Sequence, residues 1–356
     1  MTGEDYCEHS GEISLRKDLS MNQVKALALY SGGLDSLIAC RLIMEQDIAV
    51  TAIHFITPFF GYDKKGREAE VEEDVLKRYG ITLKIVDVGH DFLKVVKHPR
   101  HGYGKNLNPC VDCKIFLFSK ARELLKDEGA SFLITGEVLG QRPMSQRRDT
   151  LRIIERDSGT DGILLRPLCA KRLKPTLPEE RGWVDRNKLL DLAGRGRTPQ
   201  MALAEHFGIT DYATPAGGCL LTNEHTVARI QWLFDNFADT TVNDMILATI
   251  GRHLALDSKT LLVVGRSEKE NEQLAQLSQV GDVQLELADN PGPLSLLRGP
   301  NTPEILKTAA SITVRYSKVR QEKQVQVILS TQGTKETRTL IVDPISERLV
   351  KDYQIV

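Results

Sequence analysis

The chain has 356 residues, 41% of them hydrophobic and 27% charged, with a formal net charge of -1. That length suits two domains, and that balance excludes a uniformly basic nucleic-acid binder, so any RNA site must rest on local charge. There is no signal-like apolar start and no run long enough to cross a bilayer, so a cytoplasmic location without a membrane partner is expected. Six cysteines in so long a chain do not make a disulfide scaffold.

Residues 1–22, including Cys7, are polar and without sustained period, and read as a leader. The apolar run Val24 to Leu29 reads as a strand that breaks at Tyr30-Ser31-Gly32-Gly33-Leu34-Asp35-Ser36 and restarts as a helix from Leu37 to Met44. A second strand spans Val50 to Phe55, followed by a loop from Thr57 to Tyr62. An amphipathic helix spans Arg67 to Tyr79 with Ala69, Val71, Val75, Leu76 and Tyr79 toward the core, and Gly80 ends it. Leu83 to Val88 reads as a third strand, buried under helices. His90 to His98 starts another helix, which Pro99 ends. The loop Arg100 to Pro109 leads into a long helix, Val111 to Lys126, packed through Ile115, Phe118, Ala121, Leu124 and Leu125. Phe132 to Thr135 is a strand that ends at Gly136-Glu137. This alternation predicts an α/β domain with a parallel sheet covered on both faces.

From Arg166 to Arg197 nine Lys or Arg residues face four Asp or Glu, a local formal charge of +5. Thr198-Pro199 is expected to cap and open a helix running from Gln200 to Phe207, and Thr222 or Asn223 to cap one from Glu224 to Phe237. Beyond residue 240 the pattern shifts to short strands at Leu261–Val264, Val283–Leu287, Ser311–Tyr316, Val325–Ser330 and Thr337–Val342. Helices at Glu268–Leu277 and near Pro303–Ala309 make this second, smaller domain α+β. The expected division is a leader at 1–22, a first domain at 23–239 and an accessory domain at 240–356.

The strand, Ser-Gly-Gly turn and helix start form an anion cradle, because the first N–H groups of a helix lack intrahelical partners and glycines admit phosphate oxygens to the backbone. Ser31 and Ser36 add hydroxyls, and Asp35 would orient a ligand or act through a cation. The kinase-type GxxxxGK[ST] loop is absent. Cys110 and Cys113 form a CxxC at a loop-to-helix junction, and Cys219 follows Pro215-Ala216-Gly217-Gly218. Thiolates at helix starts suit metal ligation or nucleophilic attack. Zinc would need a fourth ligand, with His101 and His225 as candidates, whereas three thiolates suit a [4Fe-4S] cluster with one open iron. Cys40 and Cys169 read as packing residues, and Lys114 as an outward-facing helical lysine.

SGGLDS resembles the pyrophosphate loop of the ATP-pyrophosphatase superfamily. Together with PCxxC, the distal GGC, Thr135-Gly136-Glu137 and Leu139-Gly140-Gln141, it makes residues 24–235 resemble tRNA thiouridine synthetases. The resemblance implies an adenine-nucleotide alpha-hydrolase-like (PP-loop) fold that cleaves ATP between its α and β phosphates with Mg2+. Carried over by position, Ser31, Gly32, Gly33, Asp35, Ser36, Gly136 and Glu137 bind the nucleotide. Asp35, Cys110, Cys113 and Cys219 are catalytic, the three cysteines also holding a [4Fe-4S] cluster. The implied reaction is adenylation of a tRNA uridine carbonyl followed by sulfur delivery from sulfide or a cellular donor. TGExLGQ followed by Ser145-Gln146 favours 4-thiouridine. The alternatives are a tRNA 2-thiouridylase, a persulfide-dependent sulfurtransferase, and a noncatalytic RNA-binding module. Arg142, Arg147, Arg148, Lys171, Arg172, Lys174, Arg195 and Arg197 are the candidate contacts to tRNA phosphates. There is no recognisable rhodanese cysteine loop, and the accessory domain faintly resembles one in NFACT-like RNA-associated proteins. Homo-oligomerisation stays open.

Overall fold

The computed structural model of the protein describes residues 24–212, 218–334 and 336–355. The expected leader with Cys7, and Pro215 to Gly217 ahead of Cys219, lie outside the described residues. The chain divides into two compact units at the Gly218–Cys219 junction.

The first unit carries a five-stranded parallel sheet in the order β3-β2-β1-β4-β5. Its strands are β1 Lys25–Leu29, β2 Ala49–Ile56, β3 Thr82–Asp87, β4 Phe132–Thr135 and β5 Leu164–Leu165. The helices are α1 Leu34–Met44, α2 Glu68–Tyr79, α3 Gly89–Lys97, α4 Cys110–Leu124, α5 Arg148–Ser158, the short α6 Leu177–Glu180, and α7 Thr198–His206. Successive strand residues point to opposite faces, so the central β1 builds two cores. Ala26 and Ala28 pack with Ala52, Ile134 and the α1 residues Leu34, Leu37 and Ile38. Leu27 packs with Ile53, Phe55 and Leu133 against Phe118 and Ala121 of α4 and Ile154 of α5. The sheet is therefore covered on both faces, as its alternation of strand and helix predicts.

Two expectations fail at the sheet margin. β3 is an edge strand, with Thr82, Lys84 and Asp87 exposed and only Leu83 buried. A β-branched run is equally compatible with an edge, where only one side has a neighbour. In the helix packed on it, α2, Val75 is buried and Val71 and Tyr79 pack against the core as expected, but Ala69 is exposed and Leu76 is 50% exposed. Thr198 does not cap α7 either, since it is already helical, Arg197 holds the cap position, and Pro199 lies in the first turn.

The second unit is an antiparallel sheet in the order β11-β10-β8-β9-β7-β6. Its strands are β6 Arg252–Asp257, β7 Thr260–Val264, β8 Val283–Leu287, β9 Ser295–Arg298, β10 Val325–Thr331 and β11 Thr337–Val342. Its helices are α8 Glu224–Asn236, α9 Val242–Leu247, α10 Glu268–Leu277, α11 Pro303–Arg315 and α12 Glu347–Tyr353. Asn223 caps α8 by accepting the Thr226 N–H at 3.0 Å. The strand expected at Ser311 to Tyr316 is a correction: those residues mostly continue α11, which buries Leu306, Ala309, Ala310, Ile312, Thr313 and Val314. The β-branched Ile312, Thr313 and Val314 suggest extended chain, but the apolar spacing from Leu306 is helical and the buried face decides. Among the described residues no helix is long and apolar enough to cross a membrane.

Candidate functional site

From β1 the chain winds outward through β2 to β3 and then returns to β4 on the other side of β1. The crevice beyond the carboxyl ends of β1 and β4 is thus a topological switch point, where open α/β sheets bind ligands. The glycine loop lies there. Its entry is fixed from β2: the Tyr30 N–H donates to the Ile53 carbonyl at 2.9 Å, and His54 Nδ1 lies 3.0 Å from the Tyr30 carbonyl. Burial holds His54 down to about 4, so its ring is neutral near pH 7, with the nitrogen facing that carbonyl as the donor.

Gly32 takes a left-handed φ of 75°, where an added Cβ would meet nothing within 4 Å. Gly33 is extended and precedes α1 without any side-chain cap, and the Ser36 N–H donates to the Gly33 carbonyl at 3.0 Å. The hydroxyls shape the loop itself. Ser36 Oγ donates to the Gly33 carbonyl at 2.7 Å and accepts from the Ser31 N–H at 3.3 Å, while Ser31 Oγ accepts from the Gly33 N–H at 3.4 Å. Gly136 closes the far wall. A Cβ on it would lie 2.4 Å from Asp35 C and O and 2.6 Å from Ser36 N, so the end of β4 abuts the first turn of α1 through bare backbone.

Three side chains converge on the loop. Asp35 Oδ2 accepts from Gln141 Nε2 at 3.0 Å and lies 3.5 Å from Arg197 Nη2. Asp35 Oδ1, Gln141 Oε1 and Arg197 Nε are buried with no hydrogen-bond partner among the described residues. The segment carrying Arg197 is held by a bridge between Leu139 and Ala193 and by the Gly194 N–H donating to the Leu139 carbonyl at 2.8 Å. An open left-handed glycine, an uncapped helix start, and spare acceptors beside a spare donor fit a metal-bound polyphosphate.

Behind Gly136, Glu137 is 2% exposed and pairs with Arg166, Oε2 to Nε at 3.1 Å. Arg166, counted above in a basic stretch, is fully buried and also pairs with Glu155. Burial works against its charge, but the two carboxylates outweigh burial and hold its pKa above the ordinary value. Lys114 corrects the outward-facing reading. Its Nζ lies 3.5 Å from Glu137 Oε1 and 5.4 Å from the centroid of the Phe118 ring, so it points toward the site wall.

Cys110 opens α4 and Cys113 follows one turn later. Cys110 Sγ accepts from Asn108 Nδ2 at 3.3 Å. Between the two cysteines, Asp112 accepts from the N–H groups of Arg100 and His101 at 3.1 and 2.9 Å. His101 is not a zinc ligand: its Nδ1 lies 3.1 Å from Asp112 and its Nε2 3.5 Å from Asp157. His225 is exposed in the first turn of α8, and Cys219 begins the second unit. No three His, Cys, Asp or Glu side chains among the described residues gather as metal ligands. Cys40 and Cys169 are buried, which pushes their thiols up to about 12 and about 11, as packing residues require.

Seven of the eight basic candidates lie exposed, and Arg197 alone is half-buried. Sequence reasoning missed the inward turn of Arg197, the buried Arg166, and the roles of His54 and Asn108. The one available signal was His54 itself, a titratable residue in a mostly apolar strand.

Residues 21–173 match the family model described as thiamine biosynthesis protein (ThiI), and residues 251–354 match the NFACT protein RNA binding domain. A probable tRNA sulfurtransferase of Thermococcus kodakarensis is 29% identical over 151 residues, covering 41% of this chain and 37% of the relative. The tRNA-specific 2-thiouridylase MnmA of Pelobacter propionicus is 31% identical over 120 residues, covering 32% and 33% respectively. The chain thus spans about a third of the length of these curated relatives. Among solved structures, a 4-thiouridine synthetase–RNA complex with bound ATP aligns with TM-score 0.37 and 21% identity over 52% of this chain and 41% of that one. The C-terminal part of the fibronectin/fibrinogen-binding protein of Streptococcus suis aligns with TM-score 0.26 and 19% identity over 44% and 77%. The glycine loop, the parallel sheet beneath it and the match over residues 21–173 together support kinship of the first unit with the PP-loop tRNA sulfurtransferases.

Proposed function

We propose that the chain is an ATP-dependent tRNA sulfurtransferase that converts a uridine to a thiouridine. The observation that carries this reading is the convergence of Asp35, Gln141 and Arg197 on an uncapped, glycine-walled helix start at the sheet's switch point. Backbone N–H groups of the loop hold the phosphates, and Asp35 would hold the magnesium that offsets their charge. The uridine carbonyl oxygen attacks the α-phosphorus, the bond to pyrophosphate breaks, and the carbonyl carbon becomes activated by AMP.

Sulfur then arrives on a cysteine. A persulfide sulfur attacks the activated carbon, AMP departs with the former carbonyl oxygen, and a mixed disulfide joins enzyme to base. A second cysteine thiolate attacks the enzyme sulfur of that disulfide, leaving a protein disulfide and the thiouridine, and an external dithiol reduces the enzyme by two electrons. Cys110 and Cys113, one helical turn apart, are the described pair, with Cys219 as the alternative resolving thiol. The TGExLGQ segment favours 4-thiouridine, and the match to a 2-thiouridylase sustains the 2-isomer as a second reading. The match of residues 251–354 supports an RNA-binding role for the second unit, working with exposed arginines and lysines of the first.

The test is nucleoside mass spectrometry after iron-free protein is incubated with unmodified tRNA, Mg-ATP, a persulfide donor and a dithiol. ATP-dependent thiouridine that is lost in Cys110→Ser or Cys113→Ser supports the route, and retention against standards assigns the isomer. Thiouridine formed only after iron reconstitution refutes the persulfide route. Salt-sensitive tRNA binding without pyrophosphate release would replace the enzyme with a noncatalytic RNA-binding module.

A further inference from the structure

The placement of Arg197 separates it from the other basic residues of its segment. Its neighbour Arg195 is exposed, whereas Arg197 is turned inward, with Nη2 3.5 Å from the Asp35 carboxylate and Nε buried without a partner among the described residues. Its position is fixed on two sides. The bridge at Leu139–Ala193 ties its loop to the segment that carries Gln141, and the chain continues directly into α7, which packs on α1. A guanidinium held there does not reach outward to a tRNA backbone.

The unused polar atoms show what the cluster lacks. Asp35 Oδ1 and Gln141 Oε1 are acceptors, and Arg197 Nε is a donor. A bare phosphate would satisfy the donor and be repelled by the carboxylate. A cation alone would satisfy the acceptors and be repelled by the guanidinium. A polyphosphate carrying a divalent cation satisfies both. Its arrival would also leave the ion pair redundant, because the carboxylate gains a cation and the guanidinium gains an anion.

We propose that Arg197 is a polyphosphate clamp: it neutralises Asp35 in the ligand-free chain and passes to the β and γ phosphates when Asp35 turns to the nucleotide-bound cation. The clamp distinguishes ATP from AMP, and it retains contact with pyrophosphate as the leaving group. This inference rests on the reading of the glycine loop as an ATP site.

The experiment is isothermal titration calorimetry of the full chain with Mg2+ and α,β-methylene-ATP, pyrophosphate or AMP, for the wild type, Arg197→Met, Arg197→Lys and Arg195→Met. Loss of a charge-assisted contact predicts roughly 10- to 100-fold weaker binding of the ATP analogue and pyrophosphate in Arg197→Met, with AMP within about 2-fold. Arg197→Lys recovers part of the loss and Arg195→Met shows none. The salt slope of tRNA binding stays unchanged in Arg197→Met and falls by about one in Arg195→Met, as expected for one lost phosphate contact. Equal weakening of AMP and pyrophosphate would reduce Arg197 to a structural prop and overturn the proposal. Unchanged pyrophosphate binding with a smaller tRNA salt slope would make it an RNA contact and overturn it as well. A wild type that binds none of the three ligands removes the ATP site itself. A wild type and Arg197→Met that bind all three equally remove the clamp alone.

Discussion

Gly136→Ala is the sharpest test of how the wall of the candidate site is built. Gly136 is not among the glycines with positive φ, so alanine brings no backbone strain and the whole effect is spatial. The added methyl would lie 2.4 Å from Asp35 C and O and 2.6 Å from Ser36 N, all backbone atoms that no rotamer change can move aside. Restoring ordinary contact requires the end of β4 and the start of α1 to separate by about 1 Å. Overpacking of this kind costs ~1–3 kcal/mol, which lowers the melting temperature by roughly 2–12 °C for a unit of this size. The functional loss is larger, because displacing a positioned group by about 1 Å costs on the order of 100-fold in rate. Differential scanning calorimetry with pyrophosphate-release assays measures both. Gly32→Ala is the control, since its positive φ costs ~1–2 kcal/mol through the backbone and its methyl would have nothing within 4 Å among the described residues beyond its chain neighbours. A Gly136→Ala protein with wild-type melting and wild-type ATP turnover would refute the close backbone contact.

Three further outcomes follow from groups around the site and in the second unit. The His54 pKa is depressed from 6.5 to about 4 in the fold, so the unfolded chain binds the proton first as pH falls. Its contribution is complete above pH 6.5 and is lost as pH drops toward 4. By pH 5 the loss is about 2 kcal/mol, which urea unfolding of wild type against His54→Gln at pH 7 and pH 5 measures; parallel pH dependence in the two proteins would count against it. Arg166→Met leaves the buried Glu137 with Lys114 alone and removes a partner from the half-buried Glu155, and should cost ~3 kcal/mol in denaturant unfolding, whereas a cost below about 1 kcal/mol would show that the network is solvated. Asn223→Ala removes the acceptor for the Thr226 N–H and should cost ~1 kcal/mol, read from the unfolding midpoint; an unchanged midpoint would mean the cap contributes nothing.

The parallel sheet was legible because strand and helix alternate with clear periods from Val24 to Thr135, and periodicity reports burial directly. The helix α10 was legible to the residue because Ser267 and the polar turns around it mark its ends. What escaped was decided at a distance. The edge position of β3 depends on strand order, which no local pattern encodes. Ser311 to Tyr316 reads as β-branched strand until the facing sheet selects the helical face. At the candidate site, the glycine loop was visible as a contiguous motif, but the clustering of Asp35 with Gln141 and Arg197 joins residues far apart in sequence. Arg166 and Arg197 read as surface charge because composition cannot tell a cation facing water from one facing a carboxylate.

The small side chains on one face of the central sheet act as a spacer. Ala26, Ala28 and Ala52 form the layer on which Leu34, Leu37 and Ile38 of α1 rest, whereas the opposite face of the sheet carries Leu27, Ile53 and Phe55. Helix α1 rests on this layer, and its first turn is the floor of the candidate site. Each methylene added at those alanines would raise that floor relative to Gly136. The aperture of the site is therefore adjustable from positions that no nucleotide touches, which gives evolution a way to retune the pocket while leaving every ligand-facing residue in place.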